Sequence, residues 1–172
     1  MQATMQEQTS ALIRVMDELN EHFQSVLRLF EREREALSKR DIAELEEASE
    51  TIGKALEDAR ALDVKRQRTA GTLARTVGLP ERGMRWEMLA GKLNESDLSE
   101  ELTRALKRAR TRLRATLFAV DHANRMNQAA FKGVQVATDS ILNILHGGEP
   151  AYDRQGGAKQ SGVGNRFISR TL

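Results

Sequence analysis

Apolar residues recur at alternating steps of three and four along two long segments of this chain, and this spacing constrains the fold more than any other feature. The first segment covers 12–37, where only Glu33 interrupts the pattern, and the second covers 102–144. A repeat of about 3.5 residues places one face of an α-helix against a partner helix, whereas a strand would need a period of two. The sequence therefore predicts long helices that pack through heptad seams.

Capping and stop signals predict where these helices begin and end. Asp41 followed by Glu44 has the form of a capping box, as does Asp97 followed by Glu100, and each predicts a helix N-terminus. Gly78-Leu79-Pro80 predicts a helix end, because proline lacks a backbone donor and disfavours helix in the residue before it. The predicted elements are a helix along 12–37, a second from Asp41 to Val77, a short one within 81–95 and a last one from Asp97 to about His146.

The expected fold class is all-α, an elongated antiparallel helical bundle with coiled-coil character, three long helices and one short helix. The helical bundle domain is predicted to cover 1–146. Residues 147–172 hold six of the 12 glycines and few apolar side chains, so a flexible C-terminal tail is expected there.

Composition and motifs argue against catalysis. Cysteine is absent, which excludes disulfides, thiolate metal sites and cysteine nucleophiles. The sequence has no paired Glu-x-x-His motifs, no P-loop and no His-Glu-x-x-His, so no enzyme, metal or cofactor is predicted. The first ten residues lack the basic and apolar parts of a signal peptide, and no apolar stretch reaches about 20 residues. A cytoplasmic protein without membrane insertion is expected.

Charge is unevenly distributed between the two parts of the chain. Residues 1–60 hold 8 Lys and Arg against 14 Asp and Glu, and residues 61–172 hold 19 against 11. The basic run consists of Arg104, Lys107, Arg108, Arg110, Arg112 and Arg114. It admits a nucleic-acid-binding face, but no aromatic residues lie between its charges to stack bases, and the acidic second helix is an available partner. Inter-helix pairing and solvation are the favoured interpretation; a nucleic-acid binder and a coiled-coil scaffold remain alternatives.

The second seam changes character after residue 120. Small residues and an amide (Ala123, Asn127, Ala130 and Ala137) follow larger apolar ones. A seam asparagine can fix the register of packed helices, but buried without a partner it costs about 1–3 kcal/mol. The favoured interpretation is a face that is left partly uncovered and receives another protein's helix.

Several segments resemble those of one protein family, in order and spacing. These are EREALSKRD between the first two helices, NRMNQ and ILNILHGG in the last helix, then Tyr152 followed by DRQGG, and GNRFIS near the C-terminus. Together they are similar to the FlgN-type flagellar export chaperones. The resemblance covers most of the chain and is strongest at 31–60 and 118–168.

The resemblance implies two partners, one that binds the last helix and one that contacts the tail. Members of this family hold hook-associated proteins, which form the hook–filament junction, in the cytosol before type III export. The residues implied to bind these substrate proteins are Asn124, Asn127, Phe131, Val134, Ile141 and Leu145. Tyr152 is implied to dock on the cytosolic domain of the export-gate protein FlhA. No cofactor is implied.

Overall fold

The computed structural model describes residues 2–80, 85–96 and 98–145, with side chains from 4 to 142 within these ranges. Four α-helices make up this part of the chain, which has no strands. They are α1 (Gln2–Lys39), α2 (Ile42–Thr76), α3 (Trp86–Glu95) and α4 (Glu100–Leu145). The predicted all-α helical bundle with three long helices and one short helix is confirmed.

A two-residue turn joins α1 to α2. Arg40 has a positive φ of 58°, and its N–H donates to Leu37 O while the N–H of Asp41 donates to Ala36 O. This pair of bonds is a Schellman motif, which satisfies carbonyls at the end of a helix. The carboxylate of Asp41 then accepts the N–H of Glu44 at 3.1 Å. Asp41 is therefore the N-cap of α2, and this half of the predicted capping box is confirmed.

The predicted stop at 78–80 is confirmed by a second Schellman motif. Gly78 has a φ of 76°, which a residue without a Cβ adopts at little cost. Its N–H donates to Arg75 O at 3.0 Å, and the N–H of Leu79 donates to Ala74 O at 2.8 Å. Pro80 follows, so the chain leaves the helix without an unpaired backbone donor there.

The start of α4 differs from the prediction. The helix begins at Glu100, and the hydroxyl of Ser99 accepts the N–H of Leu102 at 3.3 Å. The carbonyl of Ser99 accepts the N–H of Thr103 at 3.1 Å. Ser99 therefore caps α4 in place of Asp97, which lies outside the described residues, because serine at this position satisfies the same orphan donors.

The heptad seams form the core of the bundle. Leu12, Met16, Leu19, Phe23, Val26 and Phe30 of α1 are all buried, as are Leu106, Ala109, Leu113, Val120 and Ala123 of α4. Helix α2 contributes Ile52, Ala59, Ala70 and Leu73, and α3 contributes Leu89 and Leu93. The predicted α1 seam and the α4 seam as far as Ala123 therefore pack, and burial of this apolar area is the main contribution to the stability of the bundle.

Helices α1 and α2 run antiparallel. Glu18 contacts Lys65, and His22, one turn later in α1, contacts Ala55, which lies earlier in α2. Nε2 of His22 lies 2.7 Å from the carbonyl oxygen of Ala55, and since a carbonyl can only accept, Nε2 carries the proton. This histidine bridges two helices.

Helices α1 and α4 run parallel, as an up-down-up order requires. Arg112 pairs with Asp17, and four residues later the hydroxyl of Thr116 donates to Asn20 Oδ1 at 2.7 Å. Residue numbers therefore increase in the same direction along α1 and α4. The chain divides into two compact units between Asn127 and Gln128. The predicted boundary between 1–146 and 147–172 lies outside the described residues.

Candidate functional site

A polar layer joins the three long helices at the end of the first compact unit, with Glu33 and Asn127 buried and Ser49 exposed. The carboxylate of Glu33 accepts the hydroxyl of Ser49 at 2.8 Å and the side-chain amide of Asn127 at 2.7 Å. The same amide also donates to the backbone carbonyl of Phe30 at 2.8 Å. Both partners of Asn127 are acceptors, which fixes its NH₂ group toward them. We call Glu33, Ser49 and Asn127 the polar layer.

The polar layer corrects one predicted site residue. Asn127 is 2% exposed, so it lies inside the bundle and not on an uncovered face. Its physical role is the other one that a seam asparagine can have, which is to fix helix register. Its Oδ1 has no hydrogen-bond partner among the described residues, and shifting the helices along each other would leave further buried polar atoms unpaired. Asn127 is a packing residue.

Sequence reasoning missed Glu33 as the partner of Asn127. Glu33 is 8% exposed although a glutamate at a seam position was interpreted only as a break in the pattern. The signal that could have revealed the pair was present, because each long seam carries a polar residue near the same level of the bundle. Buried polar groups are almost always hydrogen-bonded, so two such interruptions predict each other.

Beyond Asn127 the seam of α4 continues with apolar residues that are open to solvent. Val134 is 50% exposed and Ile141 is 58% exposed, whereas Phe131 is half-buried. Thr138 lies between Val134 and Ile141 on the same face. Its hydroxyl donates to the carbonyl of Val134, so its donor is already satisfied within the helix. We call Phe131, Val134, Thr138 and Ile141 the open seam.

The surroundings of the open seam are small and almost uncharged. From 128 to 142 the charged residues are Lys132 and Asp139, which leaves this segment with no net charge. A Cβ placed on Gly133 would meet nothing within 4 Å, and Ala137 is exposed. A partner backbone can therefore approach this part of the helix closely.

The remaining predicted site residues have different positions. Asn124 is half-buried in the first compact unit and has a partner. The side chain of Leu145 and the whole of Tyr152 lie outside the described residues. Of the six residues predicted to bind substrate proteins, the structure brings Phe131, Val134 and Ile141 together along one helix face.

Among the residues that the structure describes, the basic run of α4 forms ion pairs with α1, α3 and α4 itself and none with α2, contrary to the prediction. Arg112 pairs with Asp17 of α1, Arg104 with Glu100 of its own helix, and Arg110 with Glu87 of α3 at 3.8 Å. Three acidic side chains of α2 have other partners: Glu44 and Glu47 contact Arg32 of α1, and Glu50 contacts Lys54 of α2.

The ion pair between Arg32 and Glu44 replaces the second half of the capping box. The carboxylate of Glu44 accepts from Nε of Arg32 instead of the N–H of Asp41, which is already bonded to Ala36 O. This hydrogen bond lowers the pKa of Glu44 below its ordinary value of 4.5, and it raises the pKa of Arg32. The pair ties the end of α1 to the start of α2.

Two further features bear on the chemistry of the molecule. Within 2–80, 85–96 and 98–145, no three or more His, Asp or Glu side chains are grouped closely enough to hold a metal ion. Across the same part of the chain, none of the helices combines the length and the apolar character needed to cross a bilayer.

The fold and the open seam define a helical bundle protein whose last helix presents an apolar face. A comparison with protein families matches residues 1–160 to the family described as FlgN protein. The chain belongs to the FlgN family, which is a family of flagellar export chaperones. Comparisons with curated proteins and with solved structures gave no match.

Proposed function

We propose that the open seam binds an amphipathic helix from a terminal segment of a hook-associated protein in the cytoplasm, and that Tyr152 then contacts the cytosolic domain of FlhA at the export gate. Membership of the FlgN family supports the chaperone role. The observation that carries the binding site is the exposure of Val134 and Ile141 at seam positions of a helix whose earlier seam residues are buried.

Burial of the open seam would supply part of the free energy of a reversible complex. Complete burial of a Val or Ile side chain contributes about 1.5–3 kcal/mol, and Val134 and Ile141 each have about half of their surface still exposed. Covering both contributes about 2 kcal/mol, which corresponds to about thirtyfold in Kd. Phe131 and the rest of the face add to this, against the cost of ordering a flexible partner segment.

The uncharged surroundings predict how the partner is recognised. With only Lys132 and Asp139 between 128 and 142, Coulomb attraction contributes little here, and the partner is selected by its apolar stripe. Affinity at the open seam should therefore change little with ionic strength, in contrast to a phosphate-binding face. The small residues Gly133 and Ala137 favour a partner helix with large side chains opposite them.

Calorimetry with purified terminal segments of hook-associated proteins tests the site. The double variant Val134→Asp with Ile141→Asp should lose binding, because a carboxylate at each seam position would be desolvated without a partner. The control is Ala129→Asp, which adds a single carboxylate at an exposed position. Five residues before Val134, it lies about 140° away around the helix.

The control should bind as the unsubstituted protein does, and circular dichroism should show unchanged helix content in all three proteins. Unchanged affinity of the double variant would remove the open seam from the proposal. Equal losses in the double variant and in Ala129→Asp would mean that charge anywhere on this helix weakens binding, and that the face is not specific.

A further inference from the structure

The outer surface of α4 carries a group of cations of which only Arg110 has a carboxylate near it among the described residues, Glu87 at 3.8 Å. Within the described part of the chain, Arg108 makes no ion pair or hydrogen bond, and Nζ of Lys107 reaches only the amide oxygen of Asn94, at 3.2 Å. Arg114 is exposed and its recorded contact is with an aromatic ring. These residues, with Arg110, lie along α4 from 107 to 114 without an acidic residue among them.

Two of these arginines lie over aromatic rings. The guanidinium carbon of Arg110 is 4.7 Å from the centre of the Trp86 ring, and that of Arg114 is 5.7 Å from the centre of the Phe118 ring. Contact with a ring holds a guanidinium in place and leaves its in-plane N–H donors available for a carboxylate. We call Arg110, Arg114, Trp86 and Phe118 the arginine patch.

We propose that the arginine patch is a docking surface for an acidic segment of another protein, with two carboxylates one helical turn apart. Arg110 and Arg114 are four residues apart, so they are separated by about 6 Å along the helix. Carboxylates at positions i and i+4 of a partner helix have the same separation. Each guanidinium then donates paired N–H groups to one carboxylate, which is the geometry that arginine favours.

The structure contains a small-scale example of this contact. The carboxylate of Glu87, itself 76% exposed, lies 3.8 Å from Arg110 while that guanidinium remains over Trp86. A carboxylate can thus approach the arginine without displacing the ring. A nucleic acid is less well matched, because one face of each ring is already covered by the protein's own guanidinium group.

Trp86 is the only tryptophan in the chain, so its fluorescence reports on the patch directly. The probe is an alanine-rich helical peptide with glutamates four residues apart, and its control is the same peptide with glutamine. When the full-length protein is titrated with the glutamate peptide, Trp86 emission should change and reach a plateau as the patch fills. The glutamine peptide should leave the emission unchanged.

Variants separate specific contact from general charge. Arg114→Gln should weaken binding of the glutamate peptide about tenfold, as expected for one hydrogen bond to a charged group. Arg114→Lys keeps the charge and should still weaken binding severalfold, because lysine lacks the paired donors. The matched control, Arg104→Gln, removes an arginine that already pairs with Glu100 and should change affinity less than twofold.

Several outcomes would overturn the proposal. They are failure of the glutamate peptide to bind, binding of an oligothymidylate with the peptide inactive, and equal losses in Arg104→Gln and Arg114→Gln. If Trp86 emission changes when the protein concentration is raised without any peptide, the patch would instead bind the acidic residues 1–60 of a second copy of the chain. If Arg114→Gln loses helix content, the affinity of Arg114→Lys for the glutamate peptide is the deciding measurement. An affinity equal to that of the unsubstituted protein would overturn the proposal.

Discussion

The polar layer should behave as one energetic unit, and a double-mutant cycle tests this. Asn127→Leu removes one of two hydrogen bonds from the carboxylate of Glu33, which is 8% exposed. A hydrogen bond to a charged group contributes about 1.5–3 kcal/mol, and a buried carboxylate left short of a donor costs a similar amount. Loss of the unpaired Oδ1 of Asn127 offsets part of this, which leaves a destabilisation of about 2 kcal/mol.

Glu33→Leu alone should cost less, about 1 kcal/mol, because the amide of Asn127 keeps the carbonyl of Phe30 and the hydroxyl of Ser49 can bond to water. The double variant replaces both polar groups with apolar ones and should be no less stable than Asn127→Leu alone. The expected coupling free energy therefore has a magnitude of at least about 1 kcal/mol. The assay is urea unfolding followed by far-UV circular dichroism.

Two results would refute this reasoning. Free energies of unfolding that add within about 0.5 kcal/mol would show that Glu33 and Asn127 are energetically independent. A fully stable Asn127→Leu variant would show that the amide is not needed by the carboxylate. The denaturant dependence of the unfolding free energy should be the same in all four proteins, so that the cycle compares one transition.

Three further predictions follow from local structure and from the proposed function. Arg40→Gly should raise the free energy of unfolding by about 0.5–1 kcal/mol and Gly78→Ala should lower it by about 1 kcal/mol, since both positions have positive φ and glycine adopts it most readily; urea unfolding of each variant measures this. Because the pKa of Glu44 is lowered, its ionised form stabilises the fold above pH 4.5, and this stabilisation is lost as the pH falls through the folded-state pKa. NMR titration should place that pKa below 4.5, and Glu44→Gln should flatten the pH dependence of the free energy of unfolding. Tyr152→Ala should keep calorimetric affinity for the hook-associated segment and reduce capture by the cytosolic domain of FlhA, whereas loss of both would mean that tail and helix form one site.

Local rules were sufficient to predict most of the fold. The steps of three and four identified the faces of α1 and α4 that pack, because burial of a continuous apolar stripe determines which side of a helix faces the core. The cap at Asp41 and the stop at Gly78 were also predictable, since each depends on a few neighbouring backbone donors and acceptors. Ser99 was not predicted, because several polar residues in succession can cap a helix and the choice among them depends on tertiary packing.

Contacts between distant residues were the part that sequence reasoning predicted least well. Asn127 was interpreted as an accessible amide because its partner Glu33 lies 94 positions away. The basic run was paired with α2 by net charge, but Arg112 contacts Asp17 of α1. Net charge has no direction, and only the parallel placement of α1 and α4 determines which carboxylate each arginine reaches.

Site-specific cross-linking can show whether the open seam contacts the partner helix. The chain has no cysteine, so a single cysteine introduced by Val134→Cys carries a photoreactive group without background labelling. We expect this label to form an adduct with a hook-associated protein segment, and the same label at Ala129→Cys to form none. A comparable adduct from both positions, or an adduct from Ala129→Cys alone, would contradict the claim.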